Sequence, residues 1–353
     1  GLEARGNLRR FVGRTDDSVA DFDRMRALAE GLGLERETAA ALSGLGNAAT
    51  VPGRWSEARG LFERALAIHA RGGDRRSAAR TLAMLAAARF NEDAPADARG
   101  LLARALDLTR AERDRLYQGI CTTSLGVVTL AVASLSEART HLGEALRLHR
   151  EGGVRHWEGV TLAYLAMVEH EAGRAGEAHA LYGRAIELLH EIDVRRAEGL
   201  ARMSRAALSL AEDRVPDARA ELERAIDLCR AVAPDHEGLL LGMLGAVAAL
   251  EGDVAASDDL LACAELALAP YARQSFSAAI DAYRGLLDLA RPRGTSGTSL
   301  VDGARARLDR KAANAERSFE VRAARRLLAT ALARAAERTS TADLPRSLVV
   351  GTS

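Results

Sequence analysis

Lysine is almost absent from this sequence. Lys311 is the only lysine among 353 residues. A P-loop needs a lysine behind a glycine-rich loop to reach the phosphates of a nucleotide, and no such loop precedes Lys311. The zinc-protease motif HExxH is also missing, since Arg174 stands where the second histidine would follow His170-Glu171. No GxSxG nucleophile elbow occurs. We therefore expect no catalytic residue, no bound cofactor and no enzymatic activity in this chain.

Cysteine is scarce as well, with three residues at Cys121, Cys229 and Cys263. They are far apart, odd in number and without CxxC spacing, so the sequence predicts neither a disulfide framework nor a zinc site. Six of the eight histidines lie between His141 and His190, but the spacing typical of a metal site does not accompany them. We expect free thiols in a reducing cytoplasm and no bound metal.

An excess of charge of either sign is also missing, because 49 basic residues balance 49 acidic ones. A neutral chain has no bulk field to draw it to nucleic acid or to an anionic membrane. The longest apolar run, over 239–250, is too short to cross a bilayer. We therefore expect a soluble, cytoplasmic protein with no membrane partner and no nucleic-acid contact within this chain.

Aromatic residues make up only 4% of the chain, whereas small residues recur every 40 residues, with a last step of 39. Large apolar residues keep the same interval, so the sequence is an internal repeat. The small series are Gly46, Ala86, Gly126, Ala166, Ala206, Gly245; Ala58, Ala98, Ala138, Ala178, Ala218, Ser257; and Ala65, Ala105, Ala145, Ala185, Ala225, Ala264. The clearest large series is Phe62, Leu102, Leu142, Tyr182, Leu222 and Leu261.

Each repeat predicts a helical hairpin. Its apolar residues fall at helical spacing, as in Phe62, Ala65 and Leu66, and a short break with glycine, proline or aspartate separates two such segments. Two antiparallel helices approach closely only where one presents glycine or alanine, which explains the small series. A single hairpin leaves one apolar face uncovered, so we expect the hairpins to stack into an α-solenoid.

The first unit, LGNAATVPGRWSEARGLFERALAI over 45–68, resembles the tetratricopeptide repeat (TPR) in its Leu-Gly pair, turn glycine, aromatic, Glu-Ala and Ala-Leu positions. The resemblance covers about residues 17–270 and implies an all-α, TPR-like, right-handed α-solenoid. The usual unit has about 34 residues. We expect the additional residues in long loops between hairpins, as in ARGGDRR and REGGVRH. Similar long-loop arrays occur in bacterial signalling and transcription regulators.

Composition divides the chain into an array and a C-terminal region. The stretch RPRGTSGTSLVDG has the composition of a linker. The closing SLVVGTS begins a strand-like run, so we expect the start of a truncated domain and a fragment of a longer protein. The expected parts are a repeat array over 1–290, with a partial N-terminal hairpin, six units from about 39 to 270 and a capping helix over 275–290; a linker over 291–303; a separate long amphipathic helix over 304–338; and a tail over 339–353.

By resemblance to the family, the first helix of each hairpin lines the inner groove of the superhelix. The matching positions are mostly apolar, which suits an amphipathic helix or a hydrophobic peptide; alternatively, they pack on one another in a tightly wound array. Arg205 replaces a leucine of the other units and either contacts a ligand or reflects a register shift in which Met203 and Leu208 carry the packing. The candidate partner-binding residues are Asn47, Thr50, Phe90, Val127, Leu130, Met167, His170, Met203 and Arg205.

These observations favour a non-catalytic interaction scaffold or sensor. The resemblance implies a segment of a larger bacterial signalling or transcription regulator, whose groove takes a protein, an amphipathic peptide or an adjacent domain of the same protein. The alternative is a sensor that binds a small ligand or signal peptide in the groove. The regulatory role depends on the resemblance alone, because a fold does not decide a function.

Overall fold

The computed structural model describes residues 1–92, 94–132, 134–230, 232–270, 274–291, 297–309 and 318–342, and its regular elements there are seventeen α-helices. The first eight are α1 (Leu2–Phe11), α2 (Thr15–Gly31), α3 (Glu35–Thr50), α4 (Trp55–Arg71), α5 (Arg75–Asn91), α6 (Pro95–Ala111), α7 (Arg115–Ala131) and α8 (Leu135–Glu151). The others are α9 (Arg155–Glu171), α10 (Ala175–Glu191), α11 (Arg195–Ala211), α12 (Val215–Cys229), α13 (Pro234–Glu251), α14 (Val254–Leu268), α15 (Gln274–Ala290), α16 (Gly297–Asp309) and α17 (Phe319–Ala342).

The turns between these helices are short and evenly spaced. Helices of 17 residues alternate with turns of about three residues over most of the array, as at 72–74 between α4 and α5. The expectation of long loops between hairpins is therefore wrong, and the additional residues of each unit lengthen its helices. A residue with positive φ reverses the chain within such a turn. These residues are Gly13, Gly33, Gly53, Gly73, Arg113, Gly153, Gly173, Asp193 and Asp213.

The register predicted from the small residues is confirmed. A Cβ added to Gly46 would lie 2.5 Å from the Phe62 ring, and one added to Gly126 would lie 2.6 Å from Leu142. Each pair joins the two helices of one hairpin, so glycine there permits their close approach. The other two small series are fully buried at Ala58, Ala98, Ala138, Ala178, Ala218, Ser257, Ala65, Ala105, Ala145, Ala185, Ala225 and Ala264.

The N-terminal hairpin is complete rather than partial, because α1 pairs with α2. The Ser18 hydroxyl donates to the Gly6 carbonyl at 2.8 Å, as Ser257 donates to Gly245 at 2.8 Å in the last unit. The Phe22 ring also lies against Gly6. This hairpin is therefore a further unit in the register of the array.

The C-terminal region differs from the expected division. The predicted cap corresponds to α15, but residues 297–303, expected in the linker, belong to α16. Helix α16 packs on α15 because Ala304 is fully buried and Arg307 bonds to both Asp281 and Asp288, at 2.8 and 2.9 Å. The rest of the linker, at 292–296, lies outside the described residues.

Two separate helices, α16 and α17, pack against α15 where the sequence predicts one helix over 304–338. Each has its own apolar contact with α15, and residues 310–317 between them lie outside the described residues. Helix α17 continues to Ala342, so the first residues of the predicted tail are helical. The tail from 343 onward lies outside the described residues.

Candidate functional site

Helix α17 lies along the inner surface of the array, against α9, α11, α13 and α15. Its residues Phe319, Val321, Ala324 and Leu328 are buried, as an amphipathic helix in this segment requires. The C-terminal half of the groove is therefore filled by the chain's own helix. The α17 residues share one core with Leu130, Met167, Met203, Leu210 and Met243 of the inner surface.

A glycine on α15 lets α17 approach closely. A Cβ added to Gly285 would lie 2.7 Å from Cδ2 of Leu328, and Leu328 is fully buried. A side chain larger than hydrogen at position 285 would push Leu328 away from α15. Gly285 and Leu328 therefore set how deeply α17 is seated.

Two arginines of α17 converge on one carboxylate of the array. Glu171 ends α9 and is only 9% exposed, and its Oε2 lies 3.3 Å from Arg322 Nε and 3.2 Å from Arg326 Nη1. Burial alone would raise the pKa of Glu171, but the hydrogen bond from Arg326 and the charges of both arginines hold it below its ordinary value. Further along, Arg334 pairs with Asp213 at 3.2 Å, where both side chains are exposed.

His170 contacts the first residue of α17. Its ring meets Phe319 edge to face, with centroids 5.2 Å apart and planes at 82°. Its Nδ1 is buried without a hydrogen-bond partner among the described residues. Burial, with the nearby charge of Arg326, lowers the pKa of His170 to about 4, so the imidazole is neutral at pH 7.

The C-terminal part of α17 fills the groove incompletely. A cavity of about 550 Å³, the flanking cavity, lies between α17 and the helices α11, α13 and α15. The C-terminal part of α17 presents Ala331 and Ala335 to this space beside Arg334, and the inner surface presents Leu210 and Met243. The short alanine side chains leave the apolar wall opposite them uncovered.

A second cavity, of about 480 Å³, continues the groove beyond the N-terminal end of α17. Phe90, Val127 and Met167, on α5, α7 and α9, line this open cavity, and Phe276 and Phe319 form part of its wall across the groove. Its volume falls within the range of about 300–1,000 Å³ typical of ligand pockets. The arrangement can hold an apolar group.

The structure brings five of the nine candidate residues to the two cavities. Met203 is buried behind them in the core that α17 completes. Asn47 and Thr50, near the end of α3, lie outside both linings, and the Thr50 hydroxyl donates to the Asn47 carbonyl at 2.8 Å. The five are Phe90, Val127, Leu130 and Met167 at the open cavity and His170 at the flanking cavity.

Arg205 lines neither cavity. It forms an ion pair with Glu221 of α12, which also accepts a hydrogen bond from Arg202 at 3.1 Å. Met203 and Leu208 are both buried, but α11 keeps the interval of 40 residues from α9, so the structure shows no register shift at Arg205. The arginine thus has an acidic partner within the chain.

Two features of the site were missed in the sequence. Glu171 receives α17, yet the corresponding last residues of α5, α7 and α11 are the neutral Asn91, Ala131 and Ala211. Because α13 also ends in a carboxylate, Glu251, this position carried only a weak signal. Phe276 on α15 is the second, because the sequence predicts α15 only as a capping helix.

The described residues contain neither a group suited to bind a metal ion nor a helix suited to span a membrane. Among them, no three or more His, Cys, Asp or Glu residues form a group that could hold a metal ion. No helix in the described ranges is both long and apolar enough to cross a bilayer. Burial raises the pKa of the Cys121 thiol to about 12, which keeps it protonated.

Solved structures share this fold over much of the chain. A Rap protein complexed with Competence and Sporulation Factor matches with a TM-score of 0.63 and 15% identity, over 95% of this chain and 85% of that chain. The apo form of the quorum sensor NprR from B. thuringiensis matches with a TM-score of 0.56 and 13% identity, over 94% and 86%. A signal transduction ATPase from Pyrococcus horikoshii with a tetratricopeptide repeat sensor matches with a TM-score of 0.52 and 16% identity, over 77% and 44%.

The sequence comparisons add no closer relative. No protein-family model matches the chain, and a search of curated proteins finds no match either. At identities this low, the likeness to the solved structures shows the fold alone. The predicted fold, an all-α TPR-like solenoid, is confirmed.

Proposed function

We propose that this chain is a non-catalytic protein-interaction module whose inner groove binds an apolar or amphipathic polypeptide segment. One observation carries the proposal: α17 already lies in the groove, held by buried apolar side chains and by arginines that meet Glu171. This is the helix-in-groove mode by which many domains recognise peptides. The groove therefore has the chemistry that holding a polypeptide segment requires.

The open cavity is the proposed site for such a segment from a partner. It lies in the same groove, and its lining combines Phe90, Val127 and Met167 with the aromatic ring of Phe276. Methionine and aromatic side chains adapt to varied apolar partners. A partner segment there would contact Phe319 at the end of α17.

The wider role that we propose is that of a sensor or scaffold segment in a cytoplasmic bacterial signalling or transcription regulator. Its support is analogy of fold with the quorum sensor NprR and with the ATPase that has a tetratricopeptide repeat sensor. In this role, occupation of the groove would be transmitted along the stacked hairpins, because each hairpin depends on its neighbours.

A peptide selection tests the binding function. A display library of random short peptides is selected on the wild-type chain, and the binders are measured by fluorescence anisotropy. We expect apolar peptides that lose about tenfold or more in affinity when Val127→Glu places a charge in the open cavity. The matched control is Leu266→Glu, because Leu266 is 77% exposed on α14 and lines neither cavity. Equal binding to both variants would contradict the proposal.

A small-ligand sensor is the second candidate, and the volume of the open cavity supports it. About 480 Å³ is enough for a metabolite-sized molecule. A thermal-shift screen of metabolites and signal peptides distinguishes the two candidates. A metabolite that raises the Tm of the wild type and of Leu266→Glu, but not of Val127→Glu, supports the small-ligand function, since a ligand stabilises only the chain it binds.

A further inference from the structure

Helix α17 packs on a surface formed by α9, α11, α13 and α15, which we call the α17 seat. This seat is itself a binding site, and α17 fills it poorly. Among the described side chains of α17, the large apolar residues that are buried are Phe319, Val321 and Leu328, and all three lie in its N-terminal half. In its C-terminal half, Ala331 and Ala335 face the flanking cavity of about 550 Å³. A helix with larger apolar side chains at these two positions would bury more apolar surface in this seat than α17 does.

The charges around the seat define the helix it accepts. Glu171 is 9% exposed and takes two arginines that are four residues apart, Arg322 and Arg326. Residues at this spacing lie on one face of a helix. A buried carboxylate strongly favours a partner that brings a positive charge to it. An acidic or neutral helix would leave Glu171 without its counter-charges.

We infer that the α17 seat binds a basic amphipathic helix of a partner protein, which displaces α17. The partner helix has arginines four residues apart to meet Glu171, and large aliphatic side chains where α17 has Ala331 and Ala335. This inference rests on the proposed function and names the chemical class of its partner. Helix α17 is then an internal competitor, which lowers the apparent affinity of the partner by the fraction of time that it occupies the seat.

The test uses the full chain and a defined probe. The probe is a fluorescein-labelled peptide with the sequence of residues 319–342 and leucine in place of Ala331 and Ala335. Leu328→Asp buries a charge against Gly285 and should release α17. The matched control is Ala329→Asp, which introduces the same residue one position later on the exposed face of α17.

We expect the probe to bind the Leu328→Asp chain about tenfold or more tightly than it binds the wild type or Ala329→Asp, because the competitor is removed. Adding Glu171→Gln to Leu328→Asp should weaken binding again, since the arginines of the probe lose their carboxylate. The same peptide with its native alanines should bind less tightly than the leucine probe. Equal affinity of all three chains, or of the two peptides, would overturn the inference.

A second opening variant covers the case in which Leu328→Asp does not fold. Arg322→Glu combined with Arg326→Glu sets two negative charges against Glu171 and changes no buried apolar residue. The probe should bind this double variant more tightly than it binds the wild type. Failure of the probe on every folded opening variant would refute the inference. The peptide selection with Val127→Glu tests the open cavity independently. Its result would therefore still support or contradict the proposed function.

Discussion

The carboxylate of Glu171 on α9 accepts hydrogen bonds from the guanidinium of Arg326 on α17, which lies 155 residues later in the chain. Arg322 reaches the same carboxylate. These contacts connect the fourth predicted unit of the array to the C-terminal helix. They are polar contacts in a groove that is otherwise lined mainly by apolar side chains, so they set the position of α17 along it.

Reversing the charge of Arg326 should weaken the docking of α17. In Arg326→Glu a carboxylate faces the largely buried Glu171, and the free energy of unfolding should fall by about 1–3 kcal/mol. Urea denaturation measures this loss. Hydrogen exchange should show faster exchange in the amides of α17, because the helix leaves its seat more often.

The matched control for Arg326→Glu is Arg334→Glu on the same helix. Arg334 and Asp213 are both exposed, so their ion pair should contribute only about 0–1 kcal/mol. Equal losses in the two variants would show that the helix responds to charge in general and not to the contact with Glu171.

The register of the array could be predicted from the sequence, whereas the seat of α17 could not. Alanine or glycine at fixed intervals reports a local steric need, as where Gly46 meets Phe62 of the other helix in its own hairpin. The amphipathic character of the α17 segment is likewise predictable, because it depends on local spacing alone. Its seat depends on Glu171 and Gly285, which belong to different repeats, and no short-range pattern links them to Leu328 or Arg326.

The lengths of the turns were also misjudged, for a local reason. The segment ARGGDRR contains two glycines and looks like a loop, but Gly73 alone supplies the positive φ that closes the turn at 72–74. The flanking arginines continue the helices. Composition could not show this, because arginine is common both in helices and in solvent-exposed loops.

A methyl group at Gly46 should destabilise the first unit. In Gly46→Ala the new Cβ would lie 2.5 Å from the ring of Phe62, which is rigid and fully buried. Overpacking of this kind costs about 1–3 kcal/mol, more than the gain of about 1 kcal/mol from replacing glycine within a helix. Gly60→Ala is the control, because nothing lies within 4 Å of its added Cβ. Gly60→Ala should raise the free energy of unfolding. An increase in Gly46→Ala as well would refute the predicted close approach of α3 and α4.

The turns at Arg113 and Gly153 should respond in opposite directions to substitution. Arg113 has φ 54°, a conformation that glycine adopts more easily, so Arg113→Gly should stabilise the chain by about 0.5–1 kcal/mol. Gly153 has φ 64° with open space around it, so Gly153→Ala should destabilise by about 1 kcal/mol through backbone strain alone. Thermal unfolding measures both shifts. Changes of the same sign in the two variants would contradict this account of the turns.

Acid should destabilise the array through its buried histidines, and His149 is the clearest case. His149 is 1% exposed, bonds to the Thr123 hydroxyl at 3.1 Å and stacks on Trp157. Burial lowers its pKa to about 4, compared with about 6.5 in an unfolded chain. Above pH 6.5 the imidazole is neutral in both states. As the pH falls below 6.5, His149 becomes protonated in the unfolded state but stays neutral in the folded state. The free energy of unfolding therefore decreases.

His149→Gln should therefore reduce the pH dependence of stability. Between pH 7 and pH 5, His149 should account for a loss of about 2 kcal/mol in the free energy of unfolding, which the variant would lack. Urea denaturation at the two pH values measures the difference. Leu266→Gln is the control, because Leu266 is 77% exposed and the substitution changes no titrating group. His170, whose burial likewise lowers its pKa to about 4, should preserve part of the dependence in His149→Gln. A wild-type chain equally stable at pH 5 and pH 7 would show that these imidazoles accept protons without leaving their buried positions.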